Sequence, residues 1–184
     1  MPSRRTIWLL AWLVILMAAG CSQESDVGEE PGLGSVTPGG SPDPLPPMGD
    51  VVIDDLDTPL DHWGGDNCRL HTAGDAAPVI EDGTLTLTVS YSGGCARHDF
   101  TLVADDEFRE SDPVELDVFL AHEGNGDRCE AYETRVYEFD LAPVRELYLD
   151  TYGTNSGAIL LRFQGRDVPE DDPVVVYLLM YTFD

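Results

Sequence analysis

Apolar and polar positions divide this chain into three regimes. Residues 7–19 are an unbroken apolar run. Residues 22–49 show no period at all. From about residue 50 onward the two-residue period of half-buried strands takes over. Leu85, Leu87, Val89 and Tyr91 alternate with Thr84, Thr86, Thr88 and Ser90, the clearest strand in the chain. Phe100 and Leu102 alternate with Asp99 and Thr101. Val114, Leu116, Val118 and Leu120 alternate with Glu115, Asp117 and Phe119. Residues 131–141 are rich in aromatic and β-branched side chains. Residues 158–163 and 174–183 are continuous apolar runs, as expected of strands covered on both faces, and residues 51–56 supply an opening strand.

One stretch breaks the strand period. Asp140 is placed to cap a helix, Pro143 suits its first turn, and Val144, Leu147, Tyr148 and Tyr152 share a face at helical spacing. Gly153 can end it. Asp82-Gly83 is a hairpin signal joining residues 78–81 to the strand from Thr84. The pattern predicts an all-β fold, a β-sandwich or partly open barrel of short antiparallel strands with one short connecting helix.

The amino-terminal run changes the picture of the whole chain. A membrane span needs about 20 apolar residues; this run is shorter, follows Arg4 and Arg5, and has the shape of a signal-peptide core. It ends in Leu16-Met17-Ala18-Ala19-Gly20-Cys21. Small residues before a cysteine resemble the lipobox of bacterial lipoproteins, although Ala18 stands where that family most often has leucine. The resemblance implies cleavage before Cys21, lipid on its sulfur, and a membrane anchor. An ordinary signal peptide cut at a small-residue site is the alternative. Ser3-Arg4-Arg5-Thr6-Ile7 also resembles a twin-arginine signal, but paired arginines meet the plain charge requirement and Ile7-Trp8-Leu9-Leu10 is very apolar for that route. Proline and glycine dominate residues 30–47, a composition that neither packs nor orders readily. The expected division is therefore a signal peptide (1–20), a lipidated cysteine and tether (21–49), and a β-domain (50–184). Ser22 after the cysteine points to the outer membrane, facing the periplasm or the cell surface.

Charge narrows the partners. The chain carries 35 acids and 10 bases, every base an arginine, for a formal charge of −25. Such a surface repels phosphate backbones, so no nucleic-acid partner is expected. The protein or small-molecule partner is not identified by sequence. Hydrophobic residues, at 42%, suffice for a core. No Gly-x-Ser-x-Gly elbow, phosphate loop or His-Glu-x-x-His occurs, so no enzyme and no cofactor is expected.

The remaining chemistry lies in cysteine and histidine. With Cys21 lipidated, Cys68, Cys95 and Cys129 remain. If the strands form a simple meander, Cys68, His71, Cys95, His98, His122 and Cys129 converge on one end of the domain. An oxidising compartment favours one disulfide, Cys95–Cys129, with Cys68 left over. The alternative is a tetrahedral zinc site of Cys95, His98, His122 and Cys129, two thiolates with two imidazoles. Cys95 with His98 as nucleophile and base is a third, more remote reading. Glu123, Asn125 and Asp127 also alternate like half a calcium loop, but Arg128 stands where such a loop needs glycine.

The run Ser90-Tyr91-Ser92-Gly93-Gly94-Cys95-Ala96-Arg97-His98-Asp99-Phe100, followed by Leu120-Ala121-His122, Asn125-Gly126-Asp127, Cys129-Glu130-Ala131 and Phe139-Asp140-Leu141, resembles small uncharacterised bacterial lipoproteins related to NigD-like β-sandwich domains. It covers roughly residues 85–163. The resemblance implies an exported β-fold and carries no activity with it. Cys68 and the apolar tail lie outside it. The expectation is a non-enzymatic, membrane-anchored envelope lipoprotein with a structural or binding role, and the alternative a metal-binding periplasmic module.

Overall fold

The computed structural model describes residues 45–56, 62–165 and 175–184. The expected signal peptide, Cys21, most of the expected tether and Val174 lie outside the described residues.

Among the described residues, nine strands form one curled, open sheet, a half-barrel with a single α-helix. They are β1 (Met48–Ile53), β2 (Cys68–Leu70), β3 (Val79–Glu81), β4 (Thr84–Gly93), β5 (Asp99–Ala104), β6 (Val114–Glu123), β7 (Ala131–Asp140), β8 (Gly157–Gln164) and β9 (Val175–Phe183), with α1 (Ala142–Tyr152) between β7 and β8. Their order across the sheet is β2-β4-β7-β1-β5-β6-β8-β9, and β3 also pairs with β4.

The simple meander is not what forms. β4 pairs along its whole length with β7, Leu85 opposite Phe139 and Gly93 opposite Ala131. β5 pairs instead with β6, as the meander expects. The loop after Gly93 carries the chain across the mouth of the half-barrel rather than back along β4. β1 fills the gap between the two halves and runs parallel to both neighbours. Met48 and Gly49 pair with Glu138 and Phe139 of β7, and Asp50 to Ile53 pair with Thr101 to Ala104 of β5. β6 and β8 are also parallel, a pairing made possible by the α1 crossover region. Gly49 sits at the switch. A Cβ there would lie 2.3 Å from Cε1 of Phe139 and 2.8 Å from the Phe100 carbonyl oxygen.

The inner face is the core. Leu85, Leu87 and Val89 of β4, Leu102 of β5, Leu116 and Val118 of β6, Phe139 of β7 and Ile159, Leu161 and Phe163 of β8 are all buried there. Each such side chain contributes about 1.5–3 kcal/mol by leaving water. Asp82 and Gly83 both take positive φ, 49° and 79°, and close the β3–β4 hairpin. The Asp140 carboxylate accepts the Ala142 N–H at 2.9 Å, Pro143 lies in the first turn, and Gly153 ends the helix in the left-handed conformation with its N–H on the Leu149 carbonyl.

Two burial expectations are corrected. β6 is not half-exposed: Phe119 and Ala121 are buried on its outer face with Val103, beneath Val52, Leu56 and Trp63. The segment bearing Trp63 is pinned there because its indole N–H donates to Asp54 Oδ2 at 3.0 Å. Conversely, β9 is not covered on both faces. Leu178 and Met180 are 52% and 46% exposed, because β9 ends the sheet order and no other described element packs on its outer side.

Candidate functional site

Although the meander fails, the convergence it predicts at one end still occurs, because β4 and β6 both end there and β5 and β7 both begin there. The loop 94–98 and the loop 124–130 meet, and Cys95 and Cys129 are joined in a disulfide with Cα atoms 5.9 Å apart. Cys68 begins β2, half-buried, opposite Tyr91 of β4. It reaches the same end without entering the bridge.

Asp127 organises this end. Its Oδ2 accepts the backbone N–H groups of Gly94 at 2.9 Å, Cys95 at 2.8 Å and Ala96 at 2.8 Å. Its Oδ1 accepts the N–H of Cys129 at 2.8 Å. One carboxylate thus ties both cysteine-bearing loops together. Three successive N–H groups converging on an anion make a nest, and Gly93 at φ 158° shapes its entrance. A Cβ on Gly93 would lie 2.4 Å from His98 Nε2. The Cys129 N–H, then that of Ala96, hold the Asp127 carboxyl far below the ordinary carboxylate range, with Cys95 and His98 adding to the effect.

Behind Asp127 runs a chain of imidazoles. Asp127 Oδ2 lies 3.2 Å from His98 Nε2, His98 Nδ1 lies 2.7 Å from His122 Nε2, and His122 Nδ1 lies 3.2 Å from the Asn67 carbonyl oxygen. Both ends of this chain are acceptors. Three hydrogen bonds therefore need three protons on the two rings, one more than two neutral imidazoles hold. Burial, then the neighbouring His98, pushes the His122 pKa down. Aromatic rings enclose the pair: Tyr91 stacks on His98 with centroids 4.3 Å apart, and Phe100 on His122 at 4.4 Å.

The four residues of the expected zinc set thus share one end but do not form a set. The two sulfurs bond to each other, and the two imidazoles bond to each other. The Cys95 sulfur is likewise no nucleophile for His98. Among the described residues a metal would be held by the reduced pair, whose sulfur atoms lie with an Asp127 carboxylate oxygen within 4.8 Å of one another. The calcium pattern disperses. Glu123 Oε1 accepts the Asn125 N–H, the Asn125 carboxamide donates to the Arg97 carbonyl and Asp99 Oδ2, and Asp127 turns inward to the nest.

Sequence reasoning missed Asp127 as the clamp. Its signal was local: an aspartate two residues before Cys129, placed to accept that residue's N–H in an Asx turn. It also missed a serine–histidine pair. His71 Nε2 lies 2.7 Å from Ser90 Oγ, which lies 2.6 Å from Thr134 Oγ1. Ser90 is 1% exposed, so its hydroxyl braces β4 against β7 and is closed to substrate.

Beside the clamp, a groove of about 450 Å³ opens where β1 stops short of the upper parts of β5 and β7. Tyr91, His98, Phe100 and Tyr137 line it, with Arg97 and Arg135 at its rim. Arg97 pairs with Asp99 at 2.8 Å and Arg135 with Glu133 at 3.5 Å.

No protein-family profile matches the chain, and no curated protein matches it. Solved structures do. A NigD-like immunity protein from Bacteroides caccae superposes with a TM-score of 0.53 at 15% identity, over 75% of this chain and 65% of that one. A protein described as a candidate lipoprotein from Bacteroides fragilis gives 0.47 at 14% identity, over 74% of this chain and 68% of that one. This chain therefore spans less than two thirds of the NigD-like protein's length, and the likeness is one of fold.

Proposed function

We propose that this chain is a non-enzymatic, membrane-anchored envelope lipoprotein whose half-barrel serves a structural or binding role. One observation carries the non-enzymatic part: the polar groups gathered at the functional end are committed to one another. Asp127 is filled by backbone donors, His98 and His122 by each other, Ser90 by His71 and Thr134, and Cys95 by Cys129. Such an end holds two loops in fixed positions, and the Arg97–Arg135 groove beside it is the place such loops would present to a partner. The disulfide fits an exported protein, and the sequence reading of Cys21 supplies the anchor. We also place the domain with the NigD-like lipoproteins. The shared fold supports this, together with Gly93-Gly94-Cys95 and Gly126-Asp127-Arg128-Cys129, the segments on which the sequence resemblance rests.

The test is the anchor. Cys21→Ser in the full chain should move the protein from the membrane fraction to the soluble exported fraction or leave its precursor uncut. Unchanged membrane retention and unchanged mobility would overturn the reading.

A second reading rests on the closeness of Cys95, Asp127 and Cys129: a soft metal ion held by the reduced cysteines. Native mass spectrometry with and without a dithiol reductant separates the two. A mass lower by two protons and no metal marks the bridge; a stoichiometric zinc adduct appearing only after reduction marks the metal module.

A further inference from the structure

The two edges of the sheet are built in opposite ways. At one edge stand β2 and β3, three residues each, carrying exposed Arg69 and Glu81. Short strands and charges are the usual means of keeping an edge from pairing with another chain. At the other edge stands β9, nine residues reading Val-Val-Tyr-Leu-Leu-Met-Tyr-Thr-Phe without a single charge. Among the described residues it pairs only with β8, so every second residue turns its N–H and C=O outward. Tyr177, Leu179, Tyr181 and Phe183 pack against the core. The other face leaves Leu178 and Met180 exposed, with Leu160 of β8 directly opposite Met180. An uncharged, apolar edge of this length is an unusual thing for an acidic protein to leave open.

We propose that β9 is a pairing edge through which two copies of this chain associate, antiparallel about a two-fold axis, each β9 supplying the missing neighbour of the other. Charge argues for a second copy. With 35 acids against 10 bases, two copies repel almost everywhere, and β9 is a strand on which they meet with no like charges opposed. Antiparallel pairing of identical strands is self-complementary: each unpaired backbone group finds its counterpart. It also sets Leu178 and Met180 of one copy beside those of the other, which merges two exposed patches into one covered strip. The contact is small. Nine residues span about 30 Å of edge, and such a contact falls short of the roughly 800 Å² per partner of a standard stable complex. The dimer is therefore weak and concentration-dependent.

Sedimentation velocity on the chain from residue 22 onward tests this, since that chain keeps every residue of both apolar clusters. The dimer fraction should rise with chain concentration and also with salt, because screening weakens the repulsion between two acidic copies. Met180→Lys and, separately, Leu178→Lys should each weaken association by about tenfold or more, since each puts a charge from both copies into the same covered apolar strip. Val136→Lys, exposed on the interior strand β7, should leave association unchanged, and circular dichroism of each variant checks that it is folded. A monomer at all concentrations and salts would overturn the proposal. So would a dimer that both folded lysine variants leave intact, or association that salt abolishes, the signature of attraction between opposite charges instead of an apolar strand edge.

Discussion

The Asp127 carboxylate lies 3.2 Å from Nε2 of His98, and both side chains are almost wholly shielded, at 1% and 2% exposure. A buried anion is tolerated only when donors surround it, and here the donors come from two loops more than thirty residues apart in sequence. Asp127→Asn keeps the shape but replaces one oxygen by a donor that faces other donors. The substitution should lower the melting temperature clearly more than Glu130→Gln, an exposed change in the same loop. Thermal unfolding followed by circular dichroism checks it, and equal effects would show that the clamp is not what holds the loops.

Acid should loosen the domain in two steps. His122 has its pKa lowered in the fold by burial and by His98, so the unfolded chain binds its proton more readily. Its contribution is whole above the unfolded value near 6.5 and declines as pH falls below it. Asp127 is also lowered, first by the Cys129 N–H. Its contribution is whole above the unfolded value of about 3.9 and is lost as pH falls further. Both shifts have the same sign. Urea midpoints should therefore fall between about pH 7 and 5 and again below about pH 4. His122→Gln should remove the upper step and leave the lower one.

Opening the disulfide frees both loops in the unfolded chain. The cysteines are 34 residues apart, and a bridge closing a loop of that size contributes about 2–4 kcal/mol. Urea unfolding of the Cys95→Ser/Cys129→Ser double variant should show a loss in that range. Cys68→Ser, at a half-buried position outside the bridge, should show much less. A larger loss at Cys68 would mean that the bridge is not the principal covalent restraint.

The particular residues show what was legible in the sequence. The β4 alternation was readable because one face packs inward while Thr84, Thr86 and Thr88 stay partly open. The hairpin at Asp82-Gly83 and the helix limits were readable because a turn and a cap are decided by a few neighbouring residues. Strand partners were not, since β4 finds β7 only through contacts some fifty residues apart, and nothing local distinguishes that pairing from a return along β5. The continuous apolar run of β9 misled for a physical reason: an uncovered edge awaiting a neighbour and a strand buried on both faces have the same composition. Asp117, a polar member of an alternating strand, is nonetheless 5% exposed and takes hydrogen bonds from Arg109 Nε at 2.6 Å and Gln164 Nε2 at 2.5 Å, partners the strand period does not reveal. The pattern around Asp127 suggests a cation ligand, because the partners of its Oδ2 belong to a loop that reaches it only through the fold.

The position of β1 provides the last test. This strand crosses from β7 to β5 at Gly49, and the crossing works only because the Phe139 ring and the Phe100 carbonyl close over a residue with no side chain. Phe139 is fully buried and cannot swing into solvent, and the Phe100 oxygen is backbone. A methyl group 2.3 Å from the ring must therefore push β1 outward or drive Phe139 off its rotamer. Overpacking of this kind costs about 1–3 kcal/mol. Gly49→Ala should lose that much stability, and the double variant Gly49→Ala/Phe139→Leu should recover part of it by making room, even though Phe139→Leu alone is destabilising. Urea denaturation of the three variants measures the coupling. If the two losses simply add, β1 does not pass beneath Phe139, and the two halves of the sheet are joined in some other way.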